Sequence, residues 1–211
     1  MKFKLLFSYR FLLFILSVLG VYLQLTKHGG FGMMLYYTIL SNMLVMFFMG
    51  DMVWRMLRSR STQTQGYLRM KGAVTMAIMI TFVIYHFMLA PLATPEKFYR
   101  LENFLCHYIV PLMFFFDTLV IDKAKQYRKF DPFLWTLIPL AYMVFALLNG
   151  LVLKWPIPGA KDSPFAYFFI NVNKYGWSFV SKWVVIIFIA YFLAGYVLYG
   201  IKNIKRKSAV S

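Results

Sequence analysis

Charged residues and cysteine are both scarce in this chain, and each scarcity excludes a class of protein. Only 14% of the 211 residues are charged, and seven residues are acidic, whereas a soluble domain of this length would carry far more charge. The single cysteine, Cys106, excludes an internal disulfide and any thiolate metal cluster. We expect Cys106 to be a small apolar packing residue, and we do not expect a soluble domain.

Long apolar segments occupy most of the chain instead. Hydrophobic residues make up 61% of it and aromatic residues 20%, and several runs reach the roughly 20 residues that cross a bilayer core. Six spans are predicted over residues 8–25, 33–54, 73–92, 101–120, 132–153 and 180–201. The first span lacks the small-residue site of a cleaved signal peptide. We therefore predict an all-α polytopic membrane protein, with six transmembrane helices in one bundle and a single domain over residues 1–211.

The net charge of +16 is explained by where the basic residues lie. Sixteen of the 23 fall on one side of the predicted bundle, at the termini and in the second and fourth connections: Lys2, Lys4, Arg10, Arg55, Arg58, Arg60, Arg69, Lys71, Lys123, Lys125, Arg128, Lys129, Lys202, Lys205, Arg206 and Lys207. The other side holds Lys27, Lys97, Arg100, Lys154, Lys161, Lys174 and Lys182. Because basic residues accumulate on the cytoplasmic side, both termini are predicted to be cytoplasmic. The pattern favours membrane lipids as partners, and no nucleic acid.

The fifth connection, residues 154–179, is the longest and is rich in aromatic residues, among them Trp155, Tyr167 and Trp177. Aromatic side chains concentrate at the membrane interface, so the segment is expected to lie there. A connection of this length also suits a lid over a cavity. The two interpretations are compatible, and the sequence leaves both open.

Three polar residues share one depth within the predicted spans: Thr38, His86 and His107. Each lies about six residues, or roughly 9 Å of helix, from the same membrane face. Ionisable groups inside a bilayer usually face the interior of a bundle or a cavity. Asn42 lies one turn from Thr38, and Asn103 lies one turn from His107. Two histidines at one depth, beside a hydroxyl, predict a buried polar cluster.

Three chemistries fit this cluster. Thr38 can act as a nucleophile with a histidine as its general base and an amide as the oxyanion donor. Alternatively, His86 and His107 can be the axial ligands of a haem. A metal site is the weakest of the three, because the only acidic residue near this level is Glu102. Outside the cluster, Asp51 and Asp117 lie at the opposite ends of their spans, where Arg55 or a neighbouring basic residue can pair with them.

Three short segments of the chain resemble the family of the androgen-induced gene one protein and the androgen-dependent TFPI-regulating protein, with its bacterial six-span relatives. The segments are YYTILSN at 36–42, YH at 85–86 followed by LAP at 89–91, and HYIVP at 107–111 leading to Asp117. The animal proteins are intramembrane threonine hydrolases that cleave fatty acid esters of hydroxy fatty acids with one threonine and one histidine. The resemblance implies that Thr38 is the nucleophile and His107 the catalytic histidine. The bacterial relatives carry tryptophan after the aspartate, where this chain has Thr118.

These observations together predict an intramembrane threonine hydrolase, a carboxylic ester hydrolase that acts on lipid esters and needs no cofactor or metal. His107 is expected to take the Thr38 proton, with Asn42 and Asn103 as oxyanion or orienting donors and His86 in a supporting role. The predicted location is a bacterial cytoplasmic membrane, the predicted partner is a lipid ester substrate, and the oligomeric state is left open. The alternative is a non-enzymatic lipid- or haem-binding membrane protein in which Thr38 only forms hydrogen bonds.

Overall fold

Six helices in the computed structural model, which describes residues 3–160 and 163–203, are long and apolar enough to cross a membrane. They are α1 (Phe3–His28), α2 (Tyr37–Leu57), α3 (Gln65–Leu92), α4 (Leu101–Ile121), α5 (Asp131–Leu153) and α6 (Val172–Asn203). The predicted all-α, six-span fold class is confirmed, and the protein is a multi-pass membrane protein. The basic residues Lys2, Lys161, Lys205, Arg206 and Lys207, used above to predict the topology, lie outside the described residues.

The helices extend beyond the predicted apolar segments because their first and last turns carry polar residues. Helix α3, for example, begins at Gln65 rather than at residue 73, and its added turns include Arg69 and Lys71. The first turns of α1 and the last turn of α6 lie at the same end of the bundle, since Arg10 and Lys202 both contact Asp122. The opposite end is termed the outer end.

Helices α3 and α4 each change from α-helical to π-helical hydrogen bonding near the outer end. The π turns are Tyr85–Leu89 and Leu105–Ile109, and they contain His86 and His107. In α4 the proline Pro111 lies four residues after His107, where its missing N–H leaves the His107 carbonyl without an ordinary helical partner. Wider turns of this kind are frequent at functional sites.

The described residues form three apolar clusters, of which the third contains Met76, Trp135 and Tyr191. The first joins α1 to α4 through buried side chains such as Leu13, Val45, Ile78 and Phe114. The second joins α5, α6 and the fifth connection, and includes Ala146, Phe165, Phe169 and Val180. The cavity that contains Thr38 is lined by residues of the second cluster, among them Phe169 and Ile170, and by Tyr191.

Four buried charges join α1, α3 and α4 at the end of the bundle that carries Lys202. Asp117 pairs with Arg10 at 3.2 Å and with Lys71 at 2.7 Å. Asp122 pairs with the same two cations at 3.4 Å and 2.7 Å. Two carboxylates thus face two cations, and the geometry confirms that Asp117 pairs with a neighbouring basic group. Lys202, also buried at this end, donates to the main-chain carbonyls of Thr118 and Asp122. Asp51 likewise pairs with Arg55, at 2.7 Å.

The fifth connection folds back over the outer end. Tyr36 Oη donates to the Pro158 carbonyl at 2.6 Å. The ring of Pro158 packs against Gly29, where a φ of 141° and the close ring both favour glycine. Trp155 of the connection and Trp177, which the structure places in the first turns of α6, are more than half exposed, as expected at a membrane interface. The segment therefore combines a covering part with interfacial aromatic residues.

Candidate active site

Thr38 and His107 are in contact. Thr38 Oγ1 lies 3.3 Å from His107 Nε2, across 69 residues of sequence. Thr38 occupies the first turn of α2, and His107 the π turn of α4. Both residues are buried. The structure thus brings together the two residues predicted to be nucleophile and base.

The hydrogen bonds of His107 define its tautomer. His107 Nδ1 lies 3.0 Å from the Asn103 main-chain carbonyl. A carbonyl oxygen only accepts, so Nδ1 carries the proton and Nε2 of the neutral ring presents its lone pair to Thr38. The Thr38 hydroxyl is then the donor in the Thr38–His107 hydrogen bond. This is the protonation state that a general base requires.

Asn103 and Tyr85 hold the histidine ring in place. The Tyr85 ring stacks on the His107 ring, with centroids 3.7 Å apart and an interplanar angle of 21°. Asn103 Nδ2 donates to Tyr85 Oη at 2.6 Å and to the Phe98 carbonyl at 2.9 Å. Asn103 therefore orients His107 twice, through its own main-chain carbonyl and through Tyr85. Its side chain does not point to the Thr38 hydroxyl.

Asn42 joins the two helices that carry the pair. Its Nδ2 donates to the Thr38 carbonyl at 2.8 Å and to the Cys106 carbonyl at 3.0 Å. Both amide hydrogens are directed at main-chain oxygens, so in this arrangement Asn42 fixes the spacing of α2 and α4. Ser41 supports the same turn, donating to the Thr38 carbonyl at 3.1 Å and contacting Thr81 Oγ1 at 2.7 Å.

Tyr167 is a site residue that the sequence did not single out. Its Oη accepts from the Thr38 N–H at 3.3 Å and lies 3.5 Å from Thr38 Oγ1. Burial of this hydroxyl raises the pKa of Tyr167 above its ordinary value, so it keeps its proton at neutral pH. The signal in the sequence was only the aromatic richness of the fifth connection, which does not distinguish Tyr167 from its neighbours.

His86 lies apart from the pair. Its ring is exposed and packs among Phe82, Phe87 and Tyr108, with Nδ1 3.3 Å from Tyr108 Oη. In the part of the chain that the structure describes, no hydrogen bond or ring contact joins His86 to Thr38 or His107. Both nitrogens of His107 are already engaged, so the two imidazoles do not form a ready pair of haem ligands. Within residues 3–160 and 163–203, no group of three or more metal-ligating side chains is assembled.

An apolar cavity of about 110 Å³ is lined by Thr38, whereas His107 is not among its lining residues. Its lining includes seven residues with a hydroxyl group: Tyr37, Thr38, Thr81, Tyr85, Tyr142, Tyr167 and Tyr191. The rest of the wall comes mainly from apolar side chains of α3, α5 and α6, including Ile80, Ile84, Leu140, Met143, Ile187 and Phe188. Such a cavity accommodates a hydrocarbon chain with one polar group at the Thr38 end.

No family model, curated protein or solved structure matches the chain. The resemblance carried by residues 36–42, 85–91 and 107–111 therefore stays a prediction. The candidate site rests on the contacts described above.

Proposed function

We propose that the protein is an intramembrane threonine hydrolase that cleaves lipid esters, such as fatty acid esters of hydroxy fatty acids. The contact between Thr38 Oγ1 and the unprotonated Nε2 of His107 is the observation that supports this most strongly. A threonine hydroxyl is a weak nucleophile at neutral pH and needs a base within hydrogen-bond reach. His107 provides that base in the correct tautomer, without a rotation of the ring.

The proposed reaction has two steps. Nε2 of His107 takes the Thr38 proton while Oγ1 attacks the ester carbonyl carbon, and the alcohol leaves with that proton. Water then gives a proton to the same nitrogen and attacks the acyl-threonine, which releases the acid and restores Thr38. The Tyr167 hydroxyl is the nearest side-chain donor for the oxyanion, and the positive N-terminal end of α2 favours the same charge.

The site suits a substrate that is dissolved in lipid. The cavity wall beyond Thr38 is mostly apolar, and an ester with long chains partitions into the bilayer rather than water. We place the protein in a bacterial cytoplasmic membrane with both termini inside, as the bias of basic residues predicts. Thr38 then lies in the outer third of the membrane.

A fluorophosphonate probe tests the proposal on folded, detergent-purified protein. We expect covalent labelling of Thr38 that is lost in Thr38→Val, which removes the hydroxyl at nearly constant shape. In His107→Ala the labelling rate should fall about 100-fold or more, the usual loss when a general base is removed. Ser41→Ala is the matched control, because it deletes a buried hydroxyl one turn away that does not face His107. Labelling that survives Thr38→Val, or none in folded wild type, would overturn the proposal.

The haem-binding alternative is tested on the same preparations. It requires a Soret band that His86→Ala or His107→Ala abolishes. The observed hydrogen bonds of His107 favour the hydrolase, because ligation would require the Thr38 or the Asn103 contact to break.

A further inference from the structure

A second apolar cavity lies beside the first, between α3 and α6. Its volume is about 460 Å³, and its wall comes from these two helices and from Phe115 of α4. It shares four lining residues with the cavity at Thr38: Ile80, Ile84, Ile187 and Tyr191. The two spaces therefore lie side by side against these four side chains, and the second is termed the lateral groove.

The lateral groove has the dimensions of a membrane lipid chain. Along α6 it runs from Trp183 to Ile201, which is roughly 27 Å at the rise of an α-helix. The hydrocarbon core of a bilayer is about 30 Å thick. The groove thus extends along the direction in which the chains of neighbouring lipids lie.

The lateral groove is open to lipid and adaptable in shape. Its rim residues Phe87, Ile186 and Val197 are each more than half exposed. The α6 wall carries two small residues, Ala190 and Ala194, which leave room for a chain. Methionines of α3 line the facing wall at positions 76, 79 and 88, and their flexible side chains fit irregular apolar partners.

We propose that the lateral groove binds one linear acyl chain, whose ester group lies in the cavity at Thr38. The chain enters sideways from the bilayer between α3 and α6. The four shared lining residues support this occupant over an unrelated lipid, because they place the groove directly beside the cavity that contains Thr38. The inference rests on the proposed ester hydrolysis for the position of the carbonyl, but binding of the chain is measured separately below.

Photo-crosslinking tests chain binding without any turnover. The probe is palmitic acid with a diazirine near its methyl end, added to full-length protein in phosphatidylcholine vesicles. Trypsin cleaves after Lys182 and Lys202, so residues 183–202 leave as one peptide that contains the α6 wall. We expect adducts concentrated on this peptide and displaced by unlabelled palmitic acid. Adducts spread evenly over the lipid-facing helices, unaffected by competitor, would overturn the proposal.

Ala194→Phe narrows the lateral groove and should lower adduct formation on residues 183–202. The matched control is Ala141→Phe, which adds the same ring at an exposed alanine of α5 outside both cavities. An equal effect of both changes on the adducts would contradict binding in the groove.

Chain selectivity is the second measurement. We expect the ratio of kcat/KM for p-nitrophenyl palmitate to that for p-nitrophenyl butyrate to fall about ten-fold in Ala194→Phe, because a displaced chain misplaces the carbonyl. Ala141→Phe should keep the wild-type ratio. Specific adducts in a protein that hydrolyses neither ester would reject the hydrolase and keep the groove. Hydrolysis with an unchanged ratio and no specific adducts would reject the groove and keep the hydrolase.

Discussion

His107 is oriented by a main-chain carbonyl rather than by a carboxylate. The Asn103 carbonyl sets the tautomer of His107. In a serine protease an aspartate has this role and also stabilises the imidazolium. The Asn103 carbonyl does not supply the negative charge that stabilises the imidazolium during the reaction. We therefore expect His107 to act as a base, but with a slower reaction than a histidine that is paired with aspartate. Stabilisation of the transition state then depends more on the oxyanion donors.

Tyr167→Phe removes the hydroxyl that is the proposed oxyanion donor and keeps the aromatic ring and its packing. We expect kcat for ester hydrolysis to fall about 100-fold, the usual cost of losing one oxyanion donor. Steady-state kinetics on detergent-solubilised protein measures this. Tyr36→Phe is the control, because it removes a phenol in the same aromatic cluster that bonds Pro158 rather than Thr38. Similar losses in both variants would mean that Tyr167 acts only by holding the fifth connection.

Sequence position predicted the depth of the polar residues, but not the side of the helix on which each lies. His86 and His107 have similar depths, yet one is exposed and the other buried. The buried position on α3 belongs to Tyr85, one residue and about 100° of rotation away, and it is the Tyr85 ring that stacks on His107. Tyr167 lay beyond prediction because no periodicity fixes where an irregular connection passes.

The spacing of α2 and α4 determines whether Thr38 and His107 meet. Besides the Thr38–His107 contact itself, Asn42 links the two helices, since its amide group donates to main-chain oxygens of both. Interhelical hydrogen bonds in membranes contribute modestly to stability, yet a shift of about 1 Å between α2 and α4 lengthens the 3.3 Å Thr38–His107 contact beyond hydrogen-bond distance. Asn42 is therefore expected to matter more for the spacing of α2 and α4 than for the stability of the folded protein.

Asn42→Leu removes the tie at similar side-chain volume. We expect the free energy of unfolding in detergent to drop by about 1–2 kcal/mol, because one hydrogen bond to α4 and one within α2 are lost. Fluorophosphonate labelling of Thr38, counted per folded molecule, should also fall, and the smaller amount of folded protein does not account for that decrease. The control is Asn173→Leu, at an exposed position of α6. Unchanged labelling per folded molecule would show that α2 and α4 keep their spacing without Asn42.

The helices themselves were predictable because apolar runs of bilayer length leave few alternatives. Their ends were not, since the polar first turns of α3 continue the helix over residues that hydropathy assigns to a loop. The π turns were also beyond prediction, although Pro111 marks the one in α4. They matter because the turn at Leu105–Ile109 carries His107.

The four buried charges hold three elements together at the end opposite the site. Asp117→Asn leaves Arg10 and Lys71 with one acidic partner, Asp122, and a net buried positive charge. Removing one member of a buried pair typically costs about 3–5 kcal/mol, so we expect a clear loss of thermal stability in detergent. Asp51→Asn breaks an exposed pair with Arg55 and should change little. Equal melting temperatures for the two variants would contradict a structural role for the cluster.

The orientation of the bundle is tested by cysteine accessibility. The native Cys106 is fully buried, so an impermeant maleimide should give little background labelling in intact cells. Thr94→Cys, in the exposed connection after α3, is expected to label without permeabilisation. Ser61→Cys, in the exposed connection after α2, should label only once the membrane is opened. The reverse pattern would place both termini outside.

The covering of the outer end has a consequence for how reaction rates depend on the membrane. Residues of the fifth connection close over Thr38 from the side of α2's first turn, while the lateral groove opens to hydrocarbon. The proposed enzyme therefore responds to the mole fraction of ester among the lipids around it rather than to its bulk concentration. Added inert phospholipid dilutes the substrate in two dimensions and slows hydrolysis, although the amounts of enzyme and ester per volume stay constant.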